Sequence, residues 1–296
     1  MPAIPPARES GVTRTTAHPL FWARWGSAGA EPLLVLHGGP GAHHDYLLPQ
    51  MLALADQYDL VFYDQRGGGR SRTEAVDPIT WRTHVDDLAA VARELIGTAP
   101  TLIGYSWGGL LAMLYAVTAH RERGMLAPAR LVLIDPASAS SAHRAEFERE
   151  FARRQSLPWV RDRRAALQAS DLRDRDPEAY RARGFALSIT GYFANPEMAR
   201  DLTPFRVTSR VQQSVWESLA GMELLPALRE LRIPALVVHG RQDPIPVASS
   251  EAVAGALGGR LVVLDDSGHV PYVEQPAPFF AAIRTFLDAT PSTVAG

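Results

Sequence analysis

Short, unbroken apolar runs recur along the chain at residues 33–36, 60–63, 101–105, 131–134, 235–238 and 260–264. Each is bounded by glycine, proline or charged residues, as expected of strands buried on both faces. Between the second and third runs, Trp81, Val85, Leu88, Val91 and Leu95 recur at three- and four-residue steps, while Asp86, Asp87 and Arg93 fall off that stripe. That spacing predicts an amphipathic helix. Further helices are expected at 110–119, directly after the third run, and at 278–287. Residues 1–10 read as a loose arm and 11–25 as one or two edge strands. Strands alternating with helices predict an α/β fold, a mostly parallel sheet covered on both faces. The rhythm breaks after the fourth run. From 143 to about 183 the chain is dense in arginine and carboxylate, and up to about 230 it reads as several helices. The expected organisation is a core of 1–135 and 233–296 carrying a helical cap at 136–232.

The third run ends in Gly104-Tyr105-Ser106-Trp107-Gly108-Gly109. A G-x-S-x-G pattern between strand and helix describes a sharp turn that exposes a serine hydroxyl at a helix N-terminus. Free N–H groups and the helix dipole there favour a developing negative charge. A serine needs a base and an orienting acid to act as a nucleophile. The fifth run leads to His239-Gly240-Arg241-Gln242-Asp243 and the sixth to Asp265-Asp266-Ser267-Gly268-His269. C-terminal ends of parallel strands converge on one crevice. Ser106, Asp243 and His269 are therefore the expected catalytic triad, in the order Ser, Asp, His. Asp135 also ends a strand and is the rival acid, while Asp265 and Asp266 read as turn residues. The oxyanion hole is expected from the N–H of Trp107 and from the glycine loop His37-Gly38-Gly39-Pro40-Gly41, with Gly39 preferred to Gly38. His37 is expected to brace that loop. Asp64-Gln65-Arg66-Gly67 is expected to be a structural turn near the site. His43 and His44 lack partners spaced for a metal site. Trp22, Trp25, Trp159 and Trp216 are candidate pocket aromatics or plain core.

Composition narrows the classes. The 296 residues are 46% hydrophobic and 21% charged, with net charge −2, which gives no general pull towards nucleic acid or anionic membranes. The absence of cysteine excludes disulfides and thiolate chemistry. All basic residues are arginine, which reads as coding bias. No run approaches the ~18 apolar residues of a membrane helix, so a cytoplasmic location is expected.

With these residues in place, the chain resembles the α/β-hydrolase fold and, more narrowly, the proline iminopeptidase family of serine peptidases. The narrow match is carried by His37-Gly38-Gly39-Pro40-Gly41, Asp64-Gln65-Arg66-Gly67-x-Gly69-Arg70-Ser71, Gly104-x-Ser106-Trp107-Gly108-Gly109 and Gly268-His269. The resemblance implies release of an N-terminal residue, often proline, from short peptides; the serine mechanism needs no cofactor, and Gly67-Gly68-Gly69 lacks the spacing of a phosphate-binding fingerprint. The resemblance also implies a cap carboxylate that pairs with the free amine. Glu217 is the expected one, with Glu223 a weaker candidate. Some relatives carry a second carboxylate directly after the catalytic acid, where this chain has Pro244. Esterases and lactonases share several of these motifs, so a small ester or lactone is the alternative substrate. A non-catalytic small-molecule receptor on the same fold is the further alternative. A serine at the elbow argues against relatives that use an aspartate nucleophile there.

Overall fold

In the computed structural model, which describes residues 3–74 and 77–290, the apolar runs form one eight-stranded sheet in the order β1-β2-β4-β3-β5-β6-β7-β8. The edge strand β1 (Glu9–Val12) and the strand beside it, β2 (Phe21–Trp25), are antiparallel to their neighbours. The strands β3 (Pro32–Leu36), β4 (Asp59–Tyr63), β5 (Thr101–Tyr105), β6 (Arg130–Ile134), β7 (Ala235–Gly240) and β8 (Arg260–Leu264) run parallel to one another.

Successive side chains of a strand point to opposite faces, and here both faces are buried. Leu34, Leu36, Leu102, Leu131, Leu133 and Val237 pack on one side, against α1 (Trp81–Val91), α2 (Trp107–Arg121) and residues of the 247–257 helix. Leu33, Val35, Ile103, Val132, Ile134 and Val238 pack on the other side, with Phe279, Ile283 and Leu287 of the last helix. A two-sided core is why these strands read as continuous apolar runs rather than as alternating ones. The helix over 81–91 starts at a capping box in which the Thr80 hydroxyl accepts the Thr83 N–H.

Between β6 and β7 the chain is helical. It forms α3 (Ser141–Gln155), α4 (Pro158–Ala169), α5 (Leu172–Arg175), α6 (Pro177–Ile189), α7 (Ser209–Ser218) and α8 (Leu225–Leu228). After β7 come α9 (Val247–Leu257), α10 (Pro271–Glu274) and α11 (Pro276–Ala289). The inserted helices reach back to the strand ends. Arg154 of α3 donates to the carbonyl oxygens of Gln242 (2.7 Å) and Gly191 (3.2 Å), tying the cap to the loop after β7. Among the described residues no helix is long and apolar enough to cross a membrane.

Candidate active site

Ser106 joins β5 to α2 with φ 54° and ψ −117°, a region that costs a non-glycine residue free energy and persists only where the surroundings enforce it. Backbone hydrogen bonds supply that enforcement. Its N–H donates to Ile134 O at 2.8 Å, and its carbonyl accepts from Gly109 (2.9 Å) and Ala137 (2.9 Å). The flanking glycines are a matter of space. A Cβ on Gly104 would stand 2.4 Å from Gly108 O, and one on Gly108 would stand 2.1 Å from Leu36 O. The start of α2 lies too close to β5 at Gly104, and to the end of β3 at Gly108, for a side chain at either position.

The loop after β8 brings His269 to this serine. Nε2 lies 3.0 Å from Ser106 Oγ, and Nδ1 lies 2.7 Å from Asp243 Oδ2. These partners assign Nδ1–H as donor to the carboxylate and Nε2 as acceptor of the serine hydroxyl. The histidine loop is held from the cap side. The His269 N–H donates to Tyr192 O at 2.6 Å, and the Tyr192 ring stacks on the imidazole with centroids 4.9 Å apart. Glu274 supports the same loop by accepting from the N–H groups of Gly268, Ala194 and Asn195. Burial lowers the pKa of His269 from 6.5 to about 4, against the pull of the Asp135 and Glu274 carboxylates. The imidazole is neutral at rest and free to take a proton.

Asp135 and Asp243 end neighbouring strands, and the structure brings Asp243, not Asp135, to the imidazole. Asp243 accepts from both His269 Nδ1 and Ile245 N (2.8 Å). Asp135 is fully buried at φ 40° and accepts Gly240 N–H at 2.8 Å, with His239 Nδ1 3.5 Å from the same Oδ1. Its Oδ2 finds no N–H or hydroxyl donor, and its remaining hydrogen-bonding neighbour is the Asp243 carboxyl. Burial, then the adjacent carboxylate, push the Asp135 pKa far above the carboxylate range. Burial raises the Asp243 pKa as well, to about 8, with the Asp135 side chain and the Ile245 N–H drawing it back down, and of two neighbouring buried carboxyls the more strongly raised one keeps the proton. It belongs on Asp135, because Asp243 already has two donors. His239 completes a cluster whose ligand-type atoms with the two aspartates lie within 4.8 Å of one another. Its Nε2 faces Ile245 O at 3.0 Å and its Nδ1 faces Ser250 Oγ at 2.9 Å, so both nitrogens are already committed to hydrogen bonds.

The two expected oxyanion donors, Gly39 and Trp107, line the same cavity as Ser106. The Gly38 N–H is taken by the Tyr46 hydroxyl at 2.5 Å. The N–H groups of Gly39 and Trp107 have no intramolecular acceptor among the described residues, and both residues line the cavity that contains Ser106. Gln65 ties the glycine loop to the elbow. Its Nε2 donates to His37 O (2.8 Å), its N–H donates to His37 Nε2 (3.0 Å), and its Oε1 accepts from Trp107 Nε1 (2.7 Å). Asp64 instead receives His44 Nδ1 at 2.7 Å and Arg70 Nε at 2.9 Å, and these hold its pKa below the usual carboxylate range. His44 is thereby a buried structural residue.

The cavity above Ser106 measures about 530 Å³ and is mostly aromatic and aliphatic. The cap supplies Phe147, Phe151, Phe185, Tyr192 and Phe205 to its wall. Of the four singled-out tryptophans, Trp216 lines it; Trp25 belongs to the core, Trp22 packs against the core, and Trp159 lines a separate cap cleft. Glu217, the expected partner of a substrate amine, is not at the site. It accepts Gln213 Nε2 at 2.7 Å and lines a separate surface cleft with Asp77 and Arg210. On α7 the buried stripe is Val211 and Val215, and Gln212 and Trp216 point into the cavity. Glu217 comes one residue, a ~100° turn, after Trp216. Glu223 is engaged with the N–H and hydroxyl of Ser141 and likewise does not line the cavity.

The charged residues that do line it are Arg144 and Glu148 of α3. Neither is singled out by the sequence, where this segment reads only as helical and dense in arginine and carboxylate. The signal was present, because Arg144, Phe147, Glu148 and Phe151 follow the i, i+3, i+4, i+7 spacing of a single helix face.

A family model described as alpha/beta hydrolase fold matches residues 31–276. With the sheet order and the serine elbow, this places the chain in the α/β-hydrolase family, and the molecule is a hydrolase of that fold. Within it the chain belongs to the proline iminopeptidase-like group. A proline iminopeptidase of Levilactobacillus brevis is 30% identical over 275 residues, covering 87% of this chain and 88% of that protein. Among solved structures, a proline iminopeptidase-related protein from Thermus thermophilus superposes with a TM-score of 0.73 at 22% identity, covering 95% of this chain and 98% of that one. The enol-lactonase from Burkholderia xenovorans superposes with a TM-score of 0.66 at 21% identity, covering 94% and 100%.

Proposed function

We propose that this protein is a cofactor-independent serine hydrolase that works through an acyl-enzyme at Ser106. The observation that carries the reading is the continuous hydrogen-bonded chain from Ser106 Oγ through His269 to Asp243, in a largely apolar cavity lined by the inserted helices. Ser106 Oγ attacks the substrate carbonyl carbon while its proton passes to His269 Nε2. The oxyanion that forms is met by the N–H groups of Gly39 and Trp107. His269 returns the proton to the leaving nitrogen or oxygen, and the carbon–leaving group bond breaks. Water then attacks the acyl-enzyme, with His269 as base, and Ser106 is regenerated. Asp243 holds the imidazole in the required tautomer and stabilises the imidazolium.

The leading substrate is a short peptide or amino-acid amide with a free N-terminus, proline favoured, in line with the relatives of that name. In this cavity the carboxylate open to a substrate amine is Glu148. A second reading, hydrolysis of a small ester or lactone, is favoured by one observation: Glu148 is exposed, and no buried carboxylate lines the cavity among the described residues. Turnover of a prolyl arylamide and of a neutral short-chain aryl ester, by wild type and Ser106→Ala, separates the two. The peptidase reading expects Ser106-dependent arylamide cleavage that disappears when the substrate amine is acetylated. Cleavage of the ester alone selects the second reading. Turnover equal in both proteins rejects the serine mechanism.

A further inference from the structure

Arg144 stands out among the cap arginines. Arg154 and Arg164 are also half-buried, but each has partners: Arg154 bonds Glu150 and two carbonyls, and Arg164 bonds Gln155 Oε1. Arg144 is half-buried and lines the cavity that contains Ser106, and its guanidinium has neither a hydrogen bond nor an ion pair among the described residues. Its guanidinium lies 4.3 Å from the centroid of the Trp216 ring, and Trp216 packs edge-on against Trp107, the residue after the serine. The arginine head is thus held over an aromatic ring in the wall of the cavity that contains Ser106, its N–H donors unused. Stacking holds a guanidinium without consuming its in-plane donors. Glu148, one helical turn along, is too distant for an ion pair, although its charge offsets part of the burial that lowers the Arg144 pKa. A partly desolvated cation with five free donors is costly to keep unless a ligand meets it.

We propose that Arg144 is a carboxylate subsite: the substrate carries a monoanionic carboxylate that Arg144 binds while its apolar body fills the aromatic part of the cavity. This rests on the reading of the cavity as a hydrolase active site. A carboxylate matches the planar fork of one guanidinium in a bidentate pair. A phosphate dianion is a poorer match, because Arg144 is the lone cationic side chain among the residues lining the cavity. In a short peptide the group in question is the free C-terminus. In an ester or lactone substrate it is a free acid on the acyl or the alcohol side.

The test is binding to Ser106→Ala, measured by calorimetry with 4-phenylbutyrate and its uncharged partner 4-phenylbutyramide. The acid is expected to bind about 10- to 100-fold more tightly than the amide, the range of a charge-assisted hydrogen bond. Adding Arg144→Gln should bring the ratio to within about threefold, and Arg144→Lys, which keeps the charge but loses the fork, should leave an intermediate ratio. Equal binding of acid and amide overturns the proposal, as does absence of binding by both at millimolar concentration. A preference that survives Arg144→Gln also overturns it, by placing the anion on the Gly39 and Trp107 donors. Turnover separates this from failure of the hydrolase reading. Ser106-dependent cleavage of 4-nitrophenyl pentanoate, with no preference for the 4-nitrophenyl monoester of glutaric acid, defeats the subsite alone. Arg144-dependent binding without Ser106-dependent turnover defeats the hydrolase reading alone.

Discussion

Replacing Asp135 tests whether the two buried aspartates share one proton. Asp135 accepts Gly240 N–H through Oδ1, and its Oδ2 has no donor other than a proton of its own. Asparagine reproduces both functions. Its Oδ1 accepts from Gly240, its Nδ2–H donates to Asp243, and asparagine tolerates the positive φ of 40° better than most residues. Alanine orphans the Gly240 N–H, at about 1–3 kcal/mol, and adds of order 1 kcal/mol for the backbone conformation. Asp135→Ala is therefore expected to lose about 2–4 kcal/mol. The sign for asparagine follows from linkage. The folded-state pKa of Asp135 is raised, so its stabilising contribution is complete below the unfolded pKa of about 3.9 and is lost as pH rises towards the folded value. Between these pH values the folded chain keeps a proton that the unfolded chain has released. Wild-type stability then falls by up to about 1.4 kcal/mol per pH unit from this group, a penalty asparagine does not carry. Urea unfolding at pH 6, 7 and 8 should show Asp135→Asn more stable than wild type, by a margin that widens with pH. A margin of constant size, or an asparagine variant less stable at all three values, refutes the shared proton.

Three further outcomes follow from the same structure. Because burial holds His269 below its usual 6.5, kcat/KM should stay flat as pH falls through 6.5 and drop only at lower pH; a midpoint above 6.5 in the pH–rate profile contradicts this. Gly108→Ala puts a methyl 2.1 Å from Leu36 O and should cost about 3 kcal/mol or more in chemical unfolding, whereas a loss under 1 kcal/mol denies the close crossing. Glu217→Ala should change kcat/KM for a free-amine arylamide less than twofold, since its carboxylate binds Gln213 outside the cavity; a tenfold rise in KM returns it to the site.

What the sequence made legible follows physical lines. Strands buried on both faces leave a strong signal, so residues 33–36, 60–63, 101–105 and 131–134 all fall within observed strands. The elbow is legible because its G-x-S-x-G pattern lies between a strand and a helix within five residues, although only Gly104 is forced by local crowding and Gly108 is forced by Leu36 of the neighbouring strand. Which aspartate meets His269 was less so. Asp135 and Asp243 both end strands, and the choice turns on the long-range placement of the loop after β8. The cap was hardest to read. Its helices owe their orientation to packing on loops far away in sequence, such as Tyr192 against His269. Glu217 is the cap carboxylate that the family resemblance implies for the substrate amine, whereas its helical phase, one step past Trp216, turns it away from the cavity. Arg144 and Glu148 went unnoticed because a charged helix face resembles a solvated one until the aromatic residues on the same stripe, Phe147 and Phe151, are counted with it.

The central claim is that Ser106 is the nucleophile and His269 its base. Intact-protein and peptide mass spectrometry after reaction with a fluorophosphonate tests it without any assumption about substrate. One adduct per chain is predicted, on the peptide containing Ser106, absent in Ser106→Ala and formed at least about a hundredfold more slowly in His269→Ala. An adduct that persists in Ser106→Ala, or a wild-type serine that stays unlabelled, contradicts it.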